Sequence, residues 1–142
     1  MTRWMPVAAL AAALAMAAPA PARAAESQCT ANWTKQGSFF SVRSFRSSSE
    51  FPQVAPATAF KRSYGEVAKG GYKVTQADSE LGVIAAQQDV AMSGKTIPLN
   101  VLVEELGAGS RVTVTLTLSA GLSTSEDAMR TAICKIVDAA GG

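Results

Sequence analysis

The chain has 142 residues, of which 13 are basic, 11 are acidic and none is histidine. The absence of histidine excludes the most common general base, the Ser-His and Cys-His nucleophile pairs, and imidazole metal sites. Without Arg3 and Arg23, which lie in the first 24 residues, 11 basic residues balance 11 acidic ones. A domain of zero net charge has no general attraction for nucleic acid or an anionic membrane, so we expect neither as a default partner.

Residues 1–24 have the features of a secretory signal peptide. Arg3 precedes an unbroken apolar run over residues 7–18, and Ala22 and Ala24 complete a small-x-small cleavage triplet. The apolar run is shorter than the ~20 residues that a membrane-spanning helix needs. We therefore predict a signal peptide over 1–24 and a single domain over 25–142, without a transmembrane anchor, in the periplasm or outside the cell.

The predicted mature chain contains two cysteines, Cys29 and Cys134. In an oxidising compartment an isolated pair favours one disulfide, and the alternative is two unpaired thiols. The residues before Cys29 do not suit a lipoprotein processing site. We predict that a disulfide clamps the start of the domain to its last helix.

The first predicted element is a strand over residues 38–46, in a polar segment with scattered aromatic side chains. A helix follows, with Pro56 in its first turn and Gly70-Gly71 as its stop. Residues 72–77 and 81–88 then predict a β-hairpin.

The second half predicts two further strands, over residues 97–106 and 111–118. The latter is the clearest, because valine and leucine alternate strictly with threonine. Ser123 and Glu126 fit a capping box at the start of a last helix. This β-α-β-β-β-β-α order predicts an α+β two-layer sandwich, in which an antiparallel sheet of four to five strands is covered by two helices.

The acidic residues favour structural roles over catalysis. Glu104 and Glu105 are neighbours on a strand and point to opposite faces, while Asp78 is a good turn former. We expect no catalytic residue, no cofactor and no metal site, with a weak calcium site at the Asp78 turn as the alternative. The segment 93–96 resembles the end of a phosphate-binding loop, but Asp89 occupies the position where that motif needs glycine.

Basic residues are concentrated in one half of the predicted domain. Between Lys35 and Lys73 there are seven basic residues and two acidic ones. A patch for an anionic partner, such as a lipid head group or a polysaccharide, would use Arg43, Arg46, Lys61 and Arg62. The alternative is that these side chains are the solvated faces of a strand and a helix.

Residues 59–87 carry a recognisable pattern. It consists of Phe60 and Tyr64 in a helix, then Gly71-Tyr72-Lys73-Val74, Asp78 and Gly82-Val83-Ile84-Ala85. This pattern is similar to the repeated domains of the lipoprotein subunit of the bacterial outer-membrane β-barrel assembly machinery, and to small uncharacterised envelope proteins of like build. The resemblance implies a non-catalytic, helix-on-sheet binding module of the cell envelope.

The sequence thus predicts an exported, non-catalytic envelope binding or accessory module, whose partner is an unknown envelope protein, lipid or glycan. Its contact surface would be a sheet edge formed by the 38–46 strand, or the groove between helices and sheet. The alternatives are a histidine-free carboxylate enzyme and a secreted enzyme inhibitor. A deep pocket with two converging carboxylates would favour the enzyme, and an exposed apolar patch would favour binding.

Overall fold

A computed structural model describes residues 27–142, so the predicted signal peptide lies outside the described residues. The elements are α1 (Gln28–Ala31), β1 (Thr34–Gln36), β2 (Arg43–Phe51), α2 (Pro56–Lys69), β3 (Lys73–Asp78), β4 (Val83–Asp89), β5 (Thr96–Leu106), β6 (Gly109–Leu118) and α3 (Glu126–Ala139). The predicted α+β class is confirmed, because helices cover one antiparallel sheet. The sheet has six strands, not four to five, and α1 is a third, short helix.

The strand order is β1-β2-β6-β5-β4-β3, and every neighbouring pair is antiparallel. The prediction that the 38–46 strand forms a sheet edge is wrong, because β2 lies between β1 and β6. Beyond β1, the same side of β2 is covered by side chains of the α1 segment. The Asn32 amide donates to the Ser48 carbonyl at 3.0 Å, and the Glu50 N–H donates to Gln28 Oε1 at 2.8 Å.

The core lies between one face of the sheet and the two long helices. On β6 the predicted alternation is confirmed, because its valine and leucine side chains are buried beneath the helices. Val67 of α2 and Ile133 of α3 are fully buried against the same face. The opposite face of the sheet carries mainly polar side chains, so the molecule has two layers.

The start of α3 differs from the predicted capping box. The N-cap is Ser125, whose hydroxyl oxygen accepts the N–H of Ala128 at 3.1 Å. The predicted pairing of Ser123 with Glu126 is wrong because the helix begins two residues later than that motif requires. Glu126 instead binds Trp33 and Lys35 from the start of the domain.

The predicted disulfide is confirmed. Cys29 in α1 is bonded to Cys134 in α3, with an S–S distance of 2.08 Å and a Cα–Cα distance of 5.6 Å. A structural disulfide is compatible with an oxidising, extracytoplasmic compartment. Within residues 27–142, no helix has the length and apolar character needed to cross a membrane.

Candidate functional site

A pocket of about 280 Å³ opens between α2, α3 and the neighbouring ends of β3 and β4. We call it the Tyr72 pocket, and its lining residues are Glu66, Gly70, Tyr72, Gln88, Met129, Ala132, Lys135 and Ile136. It lies in the groove between helices and sheet that the sequence suggested as one of two contact surfaces. Its position follows from the end of α2, where Gly71 has a φ of +82° and turns the chain directly into Tyr72.

The wall formed by α3 is mainly apolar. Met129, Ala132 and Ile136 are spaced by three and four residues, so they lie on one face of the helix. Opposite them, burial raises the pKa of the Tyr72 phenol. Like any tyrosine, it is a neutral hydroxyl at physiological pH, and it can donate or accept a hydrogen bond. Together with the Gln88 amide, it gives an apolar pocket a small number of polar groups.

An ion pair between the two long helices borders the pocket. Glu66 Oε1 lies 3.7 Å from Lys135 Nζ, and the Glu66 side chain is only 16% exposed, whereas that of Lys135 is 70% exposed. Among the described residues that line the pocket, Glu66 is the one with a carboxylate side chain. Because the Lys135 ammonium is exposed while the Glu66 carboxylate is largely covered, a ligand that displaced Lys135 would have to offer Glu66 a hydrogen-bond donor in its place.

A second concavity, of about 760 Å³, runs along α2 beside the end of α3. We call it the α2 groove, and it is lined by Ala57, Thr58, Lys61, Arg62, Gly65, Glu66, Lys69, Ala139 and Gly142. It brings together Lys61 and Arg62, two of the four residues of the predicted anionic patch. Arg62 Nη1 also donates a hydrogen bond to the Ala140 carbonyl at 3.3 Å, which ties α2 to the end of α3.

The other two predicted patch residues lie elsewhere. The Arg43 guanidinium is 5.9 Å from the centroids of the Phe39 and Phe45 rings and donates to the Leu122 carbonyl. Arg46 is exposed on the sheet face that points away from α2, where Thr115 is its partner on β6. The four side chains therefore do not share one surface. The odd spacing of Arg43 and Arg46 indicates opposite faces of a strand, so the sequence already held this information.

The remaining polar motifs have local structural roles. Asp78 Oδ1 accepts the N–H groups of Glu80 at 3.0 Å and Leu81 at 2.9 Å, as a turn-forming aspartate does. In the phosphate-loop look-alike, the Ser93 hydroxyl donates to the Val90 carbonyl at 2.9 Å and so closes the loop on itself. Across residues 27–142, no group of three or more acidic or cysteine side chains is placed to hold a metal ion.

The two acidic residues of β5 lie far from the pocket. Glu104 and Glu105 are near the end of that strand, and Glu104 Oε2 lies 3.9 Å from Arg111 Nη1. Asp89 pairs with the first residue of the same strand, at the opposite end of the sheet. These carboxylates therefore do not converge on a common cleft.

Sequence reasoning did not identify Tyr72, Gln88 or Met129 as residues of one site. Tyr72 immediately precedes β3 and Gln88 lies in β4, the hairpin partner of β3, and the packing of α3 across the sheet adds Met129. The available local signal was the Gly70-Gly71 pair, which places an aromatic residue immediately after a helix end.

A scan against protein-family models and a search of curated proteins gave no match. Among solved structures, the chain is similar to the crystal structure of Ara h 8.0201, with a TM-score of 0.51 and 16% identity over 71% of this chain and 96% of that chain. It also matches a conserved protein of unknown function, EF2215 from Enterococcus faecalis, with a TM-score of 0.43 and 9% identity over 76% of this chain and 75% of that one. At this level of identity, the similarity to Ara h 8.0201 is a similarity of fold.

Proposed function

We propose that this chain is an exported, non-catalytic binding module of the bacterial cell envelope, and that the Tyr72 pocket holds the apolar part of a small amphipathic ligand. The observation that carries the proposal is the pocket itself. It lies between both long helices and the sheet, with an apolar wall from α3 and a few polar groups at Tyr72, Gln88 and the Glu66–Lys135 pair. Apolar pockets with a few convergent polar groups are typical of small-molecule sites.

Two observations support export. Residues 1–24 have the charge, apolar run and cleavage triplet of a signal peptide. The disulfide between Cys29 and Cys134 joins the first described helix to the last one, and bridges of this kind persist in oxidising compartments. Residues 59–87 also resemble envelope domains in their local pattern, a helix followed by a hairpin, and this likeness supports a role in the envelope.

The chemistry of the pocket favours binding over hydrolysis. A carboxylate enzyme needs two acidic groups that act on one substrate, whereas Glu66 alone borders this pocket and is paired with Lys135. The Tyr72 phenol is protonated at physiological pH, as tyrosine ordinarily is, and burial raises its pKa further. These groups can orient a ligand by hydrogen bonds.

The test expresses the full sequence in a bacterial host and recovers the protein from the periplasmic fraction. A measured mass that corresponds to residues 25–142 supports export. A protein that keeps residues 1–24 and stays in the cytoplasm contradicts it. Binding is measured with the apolar dye 1-anilinonaphthalene-8-sulfonate and by native mass spectrometry of co-purified ligands.

A pair of variants assigns that binding to the pocket. Ala132→Phe fills the Tyr72 pocket, and Ala128→Phe adds the same side chain at an exposed position of the same helix. We expect the first variant to lose the dye and any co-purified ligand, and the second to keep both. Thermal melting of the two variants checks that each is folded. Equal binding by both variants, or no binding by the unsubstituted protein, would contradict the proposal.

A further inference from the structure

The α2 groove is cationic, and of its lining residues only Glu66 also lines the Tyr72 pocket. Lys61, Arg62 and Lys69 line it, and their spacing places all three on one stripe of α2. Neither Lys61 nor Lys69 has an ion-pair or hydrogen-bond partner among residues 27–142. The one acidic side chain in the lining, Glu66, is turned to Lys135 and largely covered. Among the described residues, three cationic side chains and one acidic side chain line the groove, so the lining side chains carry a net positive charge.

The middle of this stripe is a glycine. Gly65 lies inside α2, where glycine is less favourable than alanine, yet a Cβ built on it would meet no atom of residues 27–142 within 4 Å, apart from the adjoining backbone of α2 itself. No neighbour therefore requires glycine at this position. A missing side chain here lowers the floor of the groove between Lys61 and Lys69, so that a ligand can lie close to the helix backbone.

The dimensions and surface of the groove restrict its ligand. Lys61 and Lys69 are eight positions apart, about 12 Å along the helix axis. The α2 backbone groups between them are hydrogen-bonded within the helix, so an extended peptide would find no main-chain partners there. The groove lining also includes small, apolar residues: Ala57 one turn before Lys61, Gly65 between the two lysines, and Ala139 of α3. A chain with apolar ring faces and regularly spaced carboxylates matches this surface.

We propose that the α2 groove binds an acidic polysaccharide, with its carboxylates at Lys61, Arg62 and Lys69 and a sugar ring over Gly65. The expectation that the chain meets such a polymer outside the cytoplasm rests on the proposed export. The binding itself does not depend on export or on the Tyr72 pocket. The two proposals can therefore fail separately.

The experiment measures binding of short oligogalacturonates to the full, disulfide-bonded protein by calorimetry at low and moderate ionic strength. We expect the affinity to fall as salt rises, because the contacts are ionic. Lys61→Gln and Lys69→Gln should each weaken binding about tenfold, the effect of losing one charge-assisted hydrogen bond. Lys73→Gln is the matched control, since it removes the same charge at an exposed position of β3 outside the groove, and it should leave affinity unchanged.

Gly65→Ala gives two readouts of opposite sign. It should raise the melting temperature, because alanine favours the helix interior, and lower oligogalacturonate affinity, because the new methyl group raises the floor of the groove. Several results would overturn the proposal: no binding, equal losses at Lys73 and Lys61, unchanged affinity in Gly65→Ala, or equally tight binding of neutral galactan, polyphosphate or poly-glutamate. Loss of dye binding in Ala132→Phe with oligogalacturonate binding intact would confirm that the two sites are separate.

Discussion

The indole N–H of Trp33 donates a hydrogen bond to Glu126 Oε1 at 3.0 Å, and this contact joins the start of the domain to the start of its last helix. The second carboxylate oxygen of Glu126 lies 2.7 Å from Lys35 Nζ. Arg130 lies over the Trp33 ring, 5.3 Å from its centroid, and 3.5 Å from Glu126 Oε1. The α1–β1 segment is thus attached to α3 by polar contacts as well as by the disulfide.

Glu126→Gln should lower stability in a pH-dependent manner. The hydrogen bonds from Lys35 and Trp33, and then the charges of Lys35 and Arg130, hold the pKa of the Glu126 carboxyl below its ordinary value. A carboxyl with a depressed folded-state pKa stabilises the fold above its unfolded-state pKa, and this contribution is lost as pH falls through the folded-state pKa. We therefore expect a lower melting temperature than wild type at about pH 7 and convergence of the two proteins at about pH 2.

The matched control for this prediction is Asp127→Asn. Asp127 also lies in the first turn of α3, but its side chain is 92% exposed and its contact is a 3.5 Å pair with Arg130. We expect a smaller loss of melting temperature than for Glu126→Gln at neutral pH. Equal losses would show that helix-dipole charge, and not the Trp33 and Lys35 contacts, makes Glu126 stabilising.

Asp138→Asn should raise the melting temperature at neutral pH, whereas Glu126→Gln should lower it. Partial burial raises the pKa of the Asp138 carboxyl, and its negative charge lies in the last turn of α3, near the negative end of the helix dipole. A raised carboxyl pKa means that ionisation costs folded-state stability as pH rises through the raised pKa, and that this cost disappears in acid. The variant should therefore melt at a higher temperature than wild type at about pH 7 and at the same temperature at about pH 2. A lower melting temperature at neutral pH would contradict this prediction.

The elements that the sequence predicted well carry a clear periodic or boundary signal. β6 alternates valine and leucine with threonine, and α3 carries an apolar stripe. For α2 the bounds come from Pro56 and Gly70-Gly71, because its buried face includes the polar Ser63.

β2 was misplaced because two of its buried positions are Ser47 and Ser49, which conceal the alternation. Ser47 is accommodated there because its hydroxyl donates to the Cys29 carbonyl. β1 has three exposed polar residues and is defined by pairing with β2, a tertiary contact that has no periodic signal.

The candidate sites also divide into those that the sequence indicates and those that depend on tertiary contacts. The disulfide could be predicted, because the count of cysteines and the expected compartment constrain it. The basic residues were identified, and the odd spacing of Arg43 and Arg46 already separates those two, but the position of Lys61 and Arg62 in the α2 groove needed the packing of α2 beside α3. The Tyr72 pocket combines residues from distant parts of the chain, and the Gly70-Gly71 pair is the local signal that the sequence offers for it.

Removal of the disulfide should destabilise the domain without changing its fold. The Cys29 and Cys134 bond closes a loop with a sequence separation of 105, which in the chain-entropy model corresponds to about 4–5 kcal/mol as an upper value. The double substitution Cys29→Ala and Cys134→Ala avoids unpaired thiols in the core. Urea unfolding should show a lower midpoint with native circular dichroism in the absence of denaturant. An unchanged midpoint would show that the α1–β1 contacts alone hold the two ends together.

The turn between β3 and β4 provides a sharp test of backbone packing, because Gly82 has both a positive φ and a close neighbour. Its φ is +71°, and a Cβ at this position would lie 2.1 Å from the Val103 carbonyl oxygen. The Gly82 carbonyl also accepts the Val103 N–H at 2.7 Å, which fixes the two segments at this distance. Gly82→Ala should therefore lower the free energy of unfolding by more than about 3 kcal/mol, the sum of left-handed strain and displaced backbone.

Gly94→Ala is the control for this prediction. Its φ is +68°, but a Cβ at this position meets no described atom within 4 Å, so left-handed strain alone should lower the free energy of unfolding by about 1–2 kcal/mol. Urea unfolding of the two variants separates the cost of left-handed strain from the cost of the clash, and equal costs would show that the β3–β4 turn moves away from β5 to admit the methyl group.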